Sequence, residues 1–138
     1  MAQTSAATEV KRIVLVVDDD AAVRGSHKFS LELEGFDVRT YANPEELLKE
    51  ENLPGSSLLI TNYQMPTMNG LELVAKLRDR RVTIPAILVT GHSNVNLRKR
   101  AAAAGVPLVE KPFLGRHLVD YIRQAFGMRD ASDGNPGC

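Results

Sequence analysis

The sequence predicts an α/β fold, a parallel sheet with helices packed on both faces, and three observations carry that expectation. Ile13-Val14-Leu15-Val16-Val17 and Ala86-Ile87-Leu88-Val89-Thr90 are continuous apolar runs, the mark of strands buried on both faces. Stretches with helical spacing alternate with such runs along the chain, as βαβ units require. The 138 residues, 43% hydrophobic and 25% charged, suffice for one domain with a single core.

The elements follow in order. Ile13 to Val17 is the first strand, and a polar helical stretch from Ala21 to Glu34 ends at Gly35. Asp37 to Tyr41 is a short alternating strand. Asn43-Pro44 opens a small helix, with Asn as N-cap and Pro at the first helical position. Leu58 to Thr61 is the third strand, and Gly70 to Arg80 carries Leu71, Val74, Ala75 and Leu77 at helical spacing. After the strand Ala86–Thr90, a helix runs from Ser93 to Ala104 and stops at Gly105. The fifth strand, Val106 to Val109, contains Pro107, which lacks a ladder donor and so belongs at a sheet edge. The last helix, Leu114 to Phe126, is expected to bury Leu114, Leu118, Ile122 and Ala125.

The first helix carries two competing stripes. One runs through Ala22, Ser26, Phe29 and Leu33, the other through Val23, His27, Ser30 and Leu31. Only one can face the core. Either polar groups are buried, or Phe29 and Leu33 are exposed.

Charge and composition exclude some classes of function. Seventeen basic and seventeen acidic residues cancel, so no global field favours nucleic acid or an anionic membrane. No apolar stretch approaches a membrane span, and the first dozen residues lack a signal peptide's apolar segment. The single cysteine, Cys138, fits a reducing compartment. A cytoplasmic protein is expected, with disordered tails at residues 1–10 and 129–138 around a domain at 11–128.

In an open α/β sheet, chemistry gathers beyond the carboxyl ends of the strands. The residues at those ends are Asp18-Asp19-Asp20, Asn62, Thr90 and Lys111. Adjacent carboxylates at one strand end repel and call for a hard cation, and oxygen ligands of this kind suit Mg²⁺. Asp20 is better read as the cap of the following helix. Lys111, before Pro112, sits where the backbone is pushed extended, so its ammonium can reach across the rim. Thr90 offers a hydroxyl beside the open position of Gly91. Each signal is weak alone, and together they are specific.

From about Arg12 to Phe126 the chain resembles the receiver domain of two-component response regulators. The matching pieces are Val16-Val17-Asp18-Asp19, Thr61-Asn62-Tyr63-Gln64-Met65-Pro66, Met68-Asn69-Gly70-Leu71-Glu72-Leu73, Leu88-Val89-Thr90-Gly91 and Glu110-Lys111-Pro112-Phe113. The resemblance implies a doubly wound five-stranded sheet of order 2-1-3-4-5 with five helices. It implies Mg²⁺ held directly by Asp19, through water by Asp18, by a side-chain oxygen at position 62 and by the Gln64 carbonyl. It also implies a histidine kinase or phosphotransfer protein that donates phosphate to position 62, with Thr90 and Lys111 binding the phosphoryl oxygens. Such a module signals to a downstream protein and is not an enzyme.

Two departures stand out. Position 62 holds an amide, a very poor nucleophile towards phosphorus, and replaces one of three charges that would hold the metal. Phosphorylation is therefore expected to be impaired or absent, and Mg²⁺ weakened. Single-site loss of this kind fits a natural pseudo-receiver that binds partners without phosphorylation, and equally a deliberate replacement. The switch position on the fifth strand holds Leu108, where the family often has an aromatic residue. The fourth and fifth helices offer Arg98, Lys99, Arg100, His117 and Tyr121 as a partner surface. Self-association, through the first or fourth helix, is left open. Phosphorylation at Asp18 or Asp19 instead is a further reading, with slow turnover expected. The pair Asp18 and Asp20 also fits the start of a haloacid-dehalogenase phosphatase signature, but Ala22 and the lack of room for a cap domain oppose it. A nucleotide or flavin module is opposed by the absence of a glycine-rich loop after the first strand.

Overall fold

A computed structural model of the chain describes residues 12–111 and 115–127, with the side chains of 115–117 left aside. The strands are β1 (Ile13–Val17), β2 (Asp37–Tyr41), β3 (Ser57–Asn62), β4 (Ala86–Thr90) and β5 (Leu108–Glu110). They form one five-stranded parallel sheet in the order β2-β1-β3-β4-β5. The helices are α1 (Ala21–Leu33), α2 (Pro44–Leu48), α3 (Gly70–Asp79), α4 (Val95–Ala103) and α5 (Gly115–Ala125). The expected tails, and Leu114 with them, lie outside the described residues.

Strand alternation builds two cores from one sheet. Ile13, Leu15 and Val17 of β1, with Leu59, Ala86 and Leu88, face Leu47, Leu73, Leu77, Leu97 and Ala101 of α2, α3 and α4. Val14 and Val16, with Leu58, Ile60, Ile87 and Val89, face Leu31 of α1 and Leu118, Val119 and Ile122 of α5. β1, β3 and β4 are thus apolar on both sides because both sides are covered. The chain leaves β1 towards β2 and returns past it to β3. The order reverses between β1 and β3, which is where a parallel sheet opens a crevice at its carboxyl edge.

Side-chain caps fix the phase of the helices. Asp20 accepts from the backbone N–H of Ala22 (2.9 Å) and Val23 (3.3 Å), which confirms it as the cap of α1. Asn43 caps α2 ahead of Pro44, and Asn69 and Glu72 form a reciprocal capping box on α3. Gly35, at φ 96°, ends α1 in the left-handed region that suits glycine.

Several boundaries differ from expectation. α4 starts at Val95 because Asn94, whose side chain accepts from Leu97 N–H, is the cap; Ser93 precedes the helix. β5 begins after Pro107, whose carbonyl still accepts from Leu88 N–H at 2.9 Å. The edge position of β5 is as expected. On α3 the inward residues are Gly70, Leu73, Val74 and Leu77, while Ala75 is exposed and Leu71 half-buried. On α5, Val119 joins Leu118 and Ile122 in the core, and Ala125 is only half-buried. β2 buries Val38 and Tyr41 but exposes both Arg39 and Thr40, so an edge strand relaxes strict alternation.

The competition on α1 resolves towards the His27 stripe, with Val23 half-buried and Ser30 left exposed. His27 and Leu31 are buried, while Phe29 and Leu33 are 68% and 72% exposed. Burial pushes the His27 imidazole below its ordinary value of 6.5; the Asp18 charge opposes this and the Lys111 charge reinforces it. The unfolded chain therefore binds a proton near pH 6.5 that the folded chain resists. The stability this confers is full above 6.5 and is lost as pH falls below it. Denaturant midpoints measured between about pH 7 and about pH 5 should fall, and His27→Leu should flatten that part of the profile.

Candidate functional site

The carboxyl edge between β1 and β3 gathers the polar residues that the sequence singles out. Parallel pairing sets Val17 level with Thr61, and Asn62 level with Val89. Asp18 and Asp19 therefore emerge beside Asn62. Asp18 is buried, only 2% exposed, directly after a strand with no polar side chain.

A buried carboxylate needs compensation. Asp18 receives it from the Lys111 ammonium at 3.4 Å across the rim and from the Asp20 backbone N–H at 2.9 Å. Arg24 Nη1 donates to the Asp18 carbonyl at 2.7 Å, tying the first turns of α1 to the same strand end. Lys111 is held in turn, its N–H donating to the Thr90 carbonyl at 2.7 Å. The Thr90 hydroxyl is engaged within its own turn: it donates to the His92 carbonyl (3.0 Å) and accepts from the His92 N–H (3.2 Å).

Asn62 spans the other half of the rim. Its Nδ2 donates to the Gln64 carbonyl at 2.7 Å and, at a longer 3.4 Å, to Asp19 Oδ1. The amide is oriented by those two acceptors, since its own oxygen in that place would face two oxygens. The Gln64 side chain points to solvent.

The loop after Asn62 is braced at several points. Tyr63 donates its N–H to Val89 O and accepts from Gly70 N–H, both at 2.8 Å. Arg100 of α4 stacks over the Tyr63 ring, 6.0 Å from its centre, and donates to its hydroxyl at 3.0 Å. Thr67 takes a left-handed φ of 71°, uncommon for a β-branched residue, and donates its hydroxyl to Glu45 Oε2 at 2.7 Å. That bond holds the Glu45 carboxyl below its usual range. Sequence reasoning missed Arg24, the Arg100–Tyr63 pair and the Thr67–Glu45 bond. All but Arg24 join residues more than twenty positions apart and leave no local pattern.

Apart from Arg100, the remaining candidates make no contact with the rim residues given above. Leu108 sits half-buried in β5, level with Leu88, and packs on the α2–α3–α4 side of the core. Arg98, Lys99 and Arg100 are exposed on α4, where Arg98 also donates to Ser93 Oγ. Tyr121 is exposed on α5, on the opposite side of the sheet, and the His117 side chain is outside the described residues. Among the described residues no three His, Cys, Asp or Glu side chains cluster as a metal-binding set.

The doubly wound sheet thus carries a paired-acid, lysine and threonine rim at its carboxyl edge. The response regulator receiver domain model matches residues 14–123, and the chain belongs to that family, the signalling module of two-component systems. It is 36% identical over 113 residues to the transcriptional regulatory protein FixJ of Rhizobium meliloti, covering 81% of this chain and 55% of that protein. It is 32% identical to the C4-dicarboxylate transport transcriptional regulatory protein DctD of Pseudomonas aeruginosa, covering 84% of this chain and 25% of that one. The chain thus spans about half or less of the length of these curated relatives. The crystal structure of FixJ-N matches with a TM-score of 0.75 at 33% identity, covering 89% of this chain and 99% of that one. A CheY-like receiver from Methanospirillum hungatei matches at 0.77 and 30% identity, covering 86% and 95%.

Gly70 fixes how closely α3 approaches this edge. A Cβ there would lie 2.6 Å from the Asn62 carbonyl oxygen and 2.6 Å from Leu88 Cδ1. Because one neighbour is backbone, Gly70→Ala must displace the end of β3. Thermal or denaturant unfolding should show a loss of about 1–3 kcal/mol.

Proposed function

We propose that this chain is a receiver that docks phosphorelay partners but forms no acyl phosphate, because Asn62 occupies the acceptor position. The observation that carries this reading is the Asn62 amide itself: it donates to Asp19 and to the Gln64 carbonyl, where a carboxylate would accept. An amide nitrogen in that role presents no charged oxygen to phosphorus, and its oxygen is a poor nucleophile. Asp18 and Asp19 are poor substitutes as acceptors, Asp18 being buried and paired with Lys111.

The oxygens of Asp19, the Gln64 carbonyl and, through water, Asp18 suit a hard divalent cation such as Mg²⁺. When bound, such an ion would offset the charge of the acidic pair and of an approaching phosphoryl group. Here Asn62 Nδ2 already engages two of those oxygens, so the ion must compete with existing hydrogen bonds for a site of lower charge. Mg²⁺ affinity is accordingly weak on this reading. Thr90 and Lys111 keep their places beside the rim, the first bonded to its own turn and the second to Asp18.

The partners that fit are a histidine kinase or phosphotransfer protein and a downstream signalling protein, with the module at residues 11–128 working in the cytoplasm. No helix of the described residues is long and apolar enough to cross a membrane. Nor does the balanced charge favour nucleic acid. The exposed Arg98 and Lys99 of α4, with exposed Tyr121 of α5, offer the contact face. With Leu108 in place of an aromatic, readout through a rotamer change on β5 is absent.

A small phosphodonor such as acetyl phosphate tests this directly by intact-protein mass spectrometry. The chain should gain no hydrolysable phosphoryl adduct, whereas Asn62→Asp should gain one in the presence of Mg²⁺. Equal labelling of the two proteins would sink the proposal.

A further inference from the structure

Asn69–Gly70 is the only Asn-Gly step in the sequence. An asparagine side chain hydrolyses through its own backbone. The deprotonated nitrogen of the next residue attacks Cγ, ammonia leaves, and water opens the cyclic imide at either of its two carbonyls. One opening gives aspartate. The other gives isoaspartate, in which Cβ has entered the main chain. Glycine favours the attack most, because it has no side chain in the way and reaches backbone angles that other residues avoid. Asn43 and Asn135 precede proline, which has no N–H to lose.

The fold holds the Asn69 step shut by three hydrogen bonds. The Gly70 N–H, the group that must lose its proton, donates to the Tyr63 carbonyl at 2.8 Å, and Gly70 is buried. Asn69 Oδ1 accepts from the Glu72 N–H, and Glu72 Oε1 accepts from the Asn69 N–H, both at 2.8 Å. Attack requires the Asn69 carboxamide and the Gly70 nitrogen to rotate free of these bonds.

Asn62 is closed more firmly. The next N–H, of Tyr63, donates to the Val89 carbonyl at 2.8 Å beside the β3–β4 ladder, and Asn62 Nδ2 is bonded to the Gln64 carbonyl. Freeing Asn62 means parting two central strands, which are among the last parts of a fold to open. Freeing Asn69 needs only the turn before α3 to open with its capping box.

The two products differ in consequence. Aspartate at 69 keeps an oxygen acceptor at the N-cap and adds negative charge at the positive end of α3. Isoaspartate lengthens the main chain by one atom just before Gly70, where room is least. A Cβ on Gly70 would already lie 2.6 Å from the Asn62 carbonyl oxygen. The isoaspartyl chain therefore displaces the end of β3.

We propose that Asn69 is a site of spontaneous deamidation and isomerisation, gated by the capping box of α3, whereas Asn62 keeps its amide. The inference does not depend on whether the rim takes phosphate.

Peptide mapping by mass spectrometry tests it, on the whole chain aged in mildly alkaline buffer with and without denaturant. In denaturant, Asn69 should convert faster than Asn62. In the folded chain its conversion should be at least about tenfold slower. Glu72→Ala, at an exposed position, removes one half of the capping box. It should speed conversion in the folded chain by about three- to tenfold and leave the rate in denaturant unmoved. The isolated isoaspartyl form should melt below the unmodified chain, and the aspartyl form should not. Equal rates with and without denaturant overturn the proposal, as does a folded-state rate unmoved by Glu72→Ala. Faster conversion of Asn62 than of Asn69 in the folded chain, or an isoaspartyl form as stable as the unmodified chain, overturns it too.

Discussion

The site is organised around the need to neutralise a buried carboxylate. β1 is apolar over its whole length and covered on both faces, so the first residue beyond it, Asp18, is carried out of water with it. An isolated carboxylate there would be costly. The rim supplies the Lys111 ammonium and the Asp20 N–H to Asp18, and Asn62 supplies an N–H to neighbouring Asp19. Much of the surrounding geometry follows. Lys111 must sit at the end of β5, its N–H on Thr90, and α1 must begin at once, with Asp20 as cap and Arg24 returning to the Asp18 carbonyl. The buried His27 lies within the same electrostatic neighbourhood, and its neutrality avoids adding a second buried charge.

Within that frame Asn62 has a particular consequence. In a rim with three carboxylates, mutual repulsion would be relieved by a divalent cation. Here position 62 holds an amide whose nitrogen bridges Asp19 and the Gln64 carbonyl, the oxygens that the proposed cation would share. On the proposed reading the amide stands in for part of an ion's structural role and removes the nucleophile. On this account the rim is closed without metal and without phosphate. The bracing of the next residues, Tyr63 by Arg100 and Thr67 by Glu45, holds the loop in one arrangement.

Much of the fold was legible because its signals are local. Unbroken apolar runs marked β1 and β4, and Asp20, Asn43 and Gly35 marked helix ends through their own hydrogen-bonding and φ preferences. Asn94 carries the same kind of signal, and it caps α4 one residue beyond Ser93. The site was legible as far as strand ends could predict it, since a parallel sheet brings those ends together. What sequence could not decide was tertiary. α1 offers two stripes of similar character, and its phase is set by the Asp20 cap and by Leu31 packing with Phe36 and Val38, so His27 turns inward and Phe29 outward. Similarly, the contacts of Arg100 and Thr67 depend on elements distant in sequence, and Thr67 is not a residue from which a left-handed backbone is foreseen.

The central claim is that the Asn62 amide relieves the rim of its need for a cation. Thermal unfolding in EDTA and in millimolar Mg²⁺, run in parallel on this chain and on Asn62→Asp, measures that need directly. The account predicts nearly the same midpoint in both buffers for the chain. For Asn62→Asp it predicts a lower midpoint in EDTA that Mg²⁺ restores. A chain stabilised by Mg²⁺ as much as the Asn62→Asp protein would contradict it.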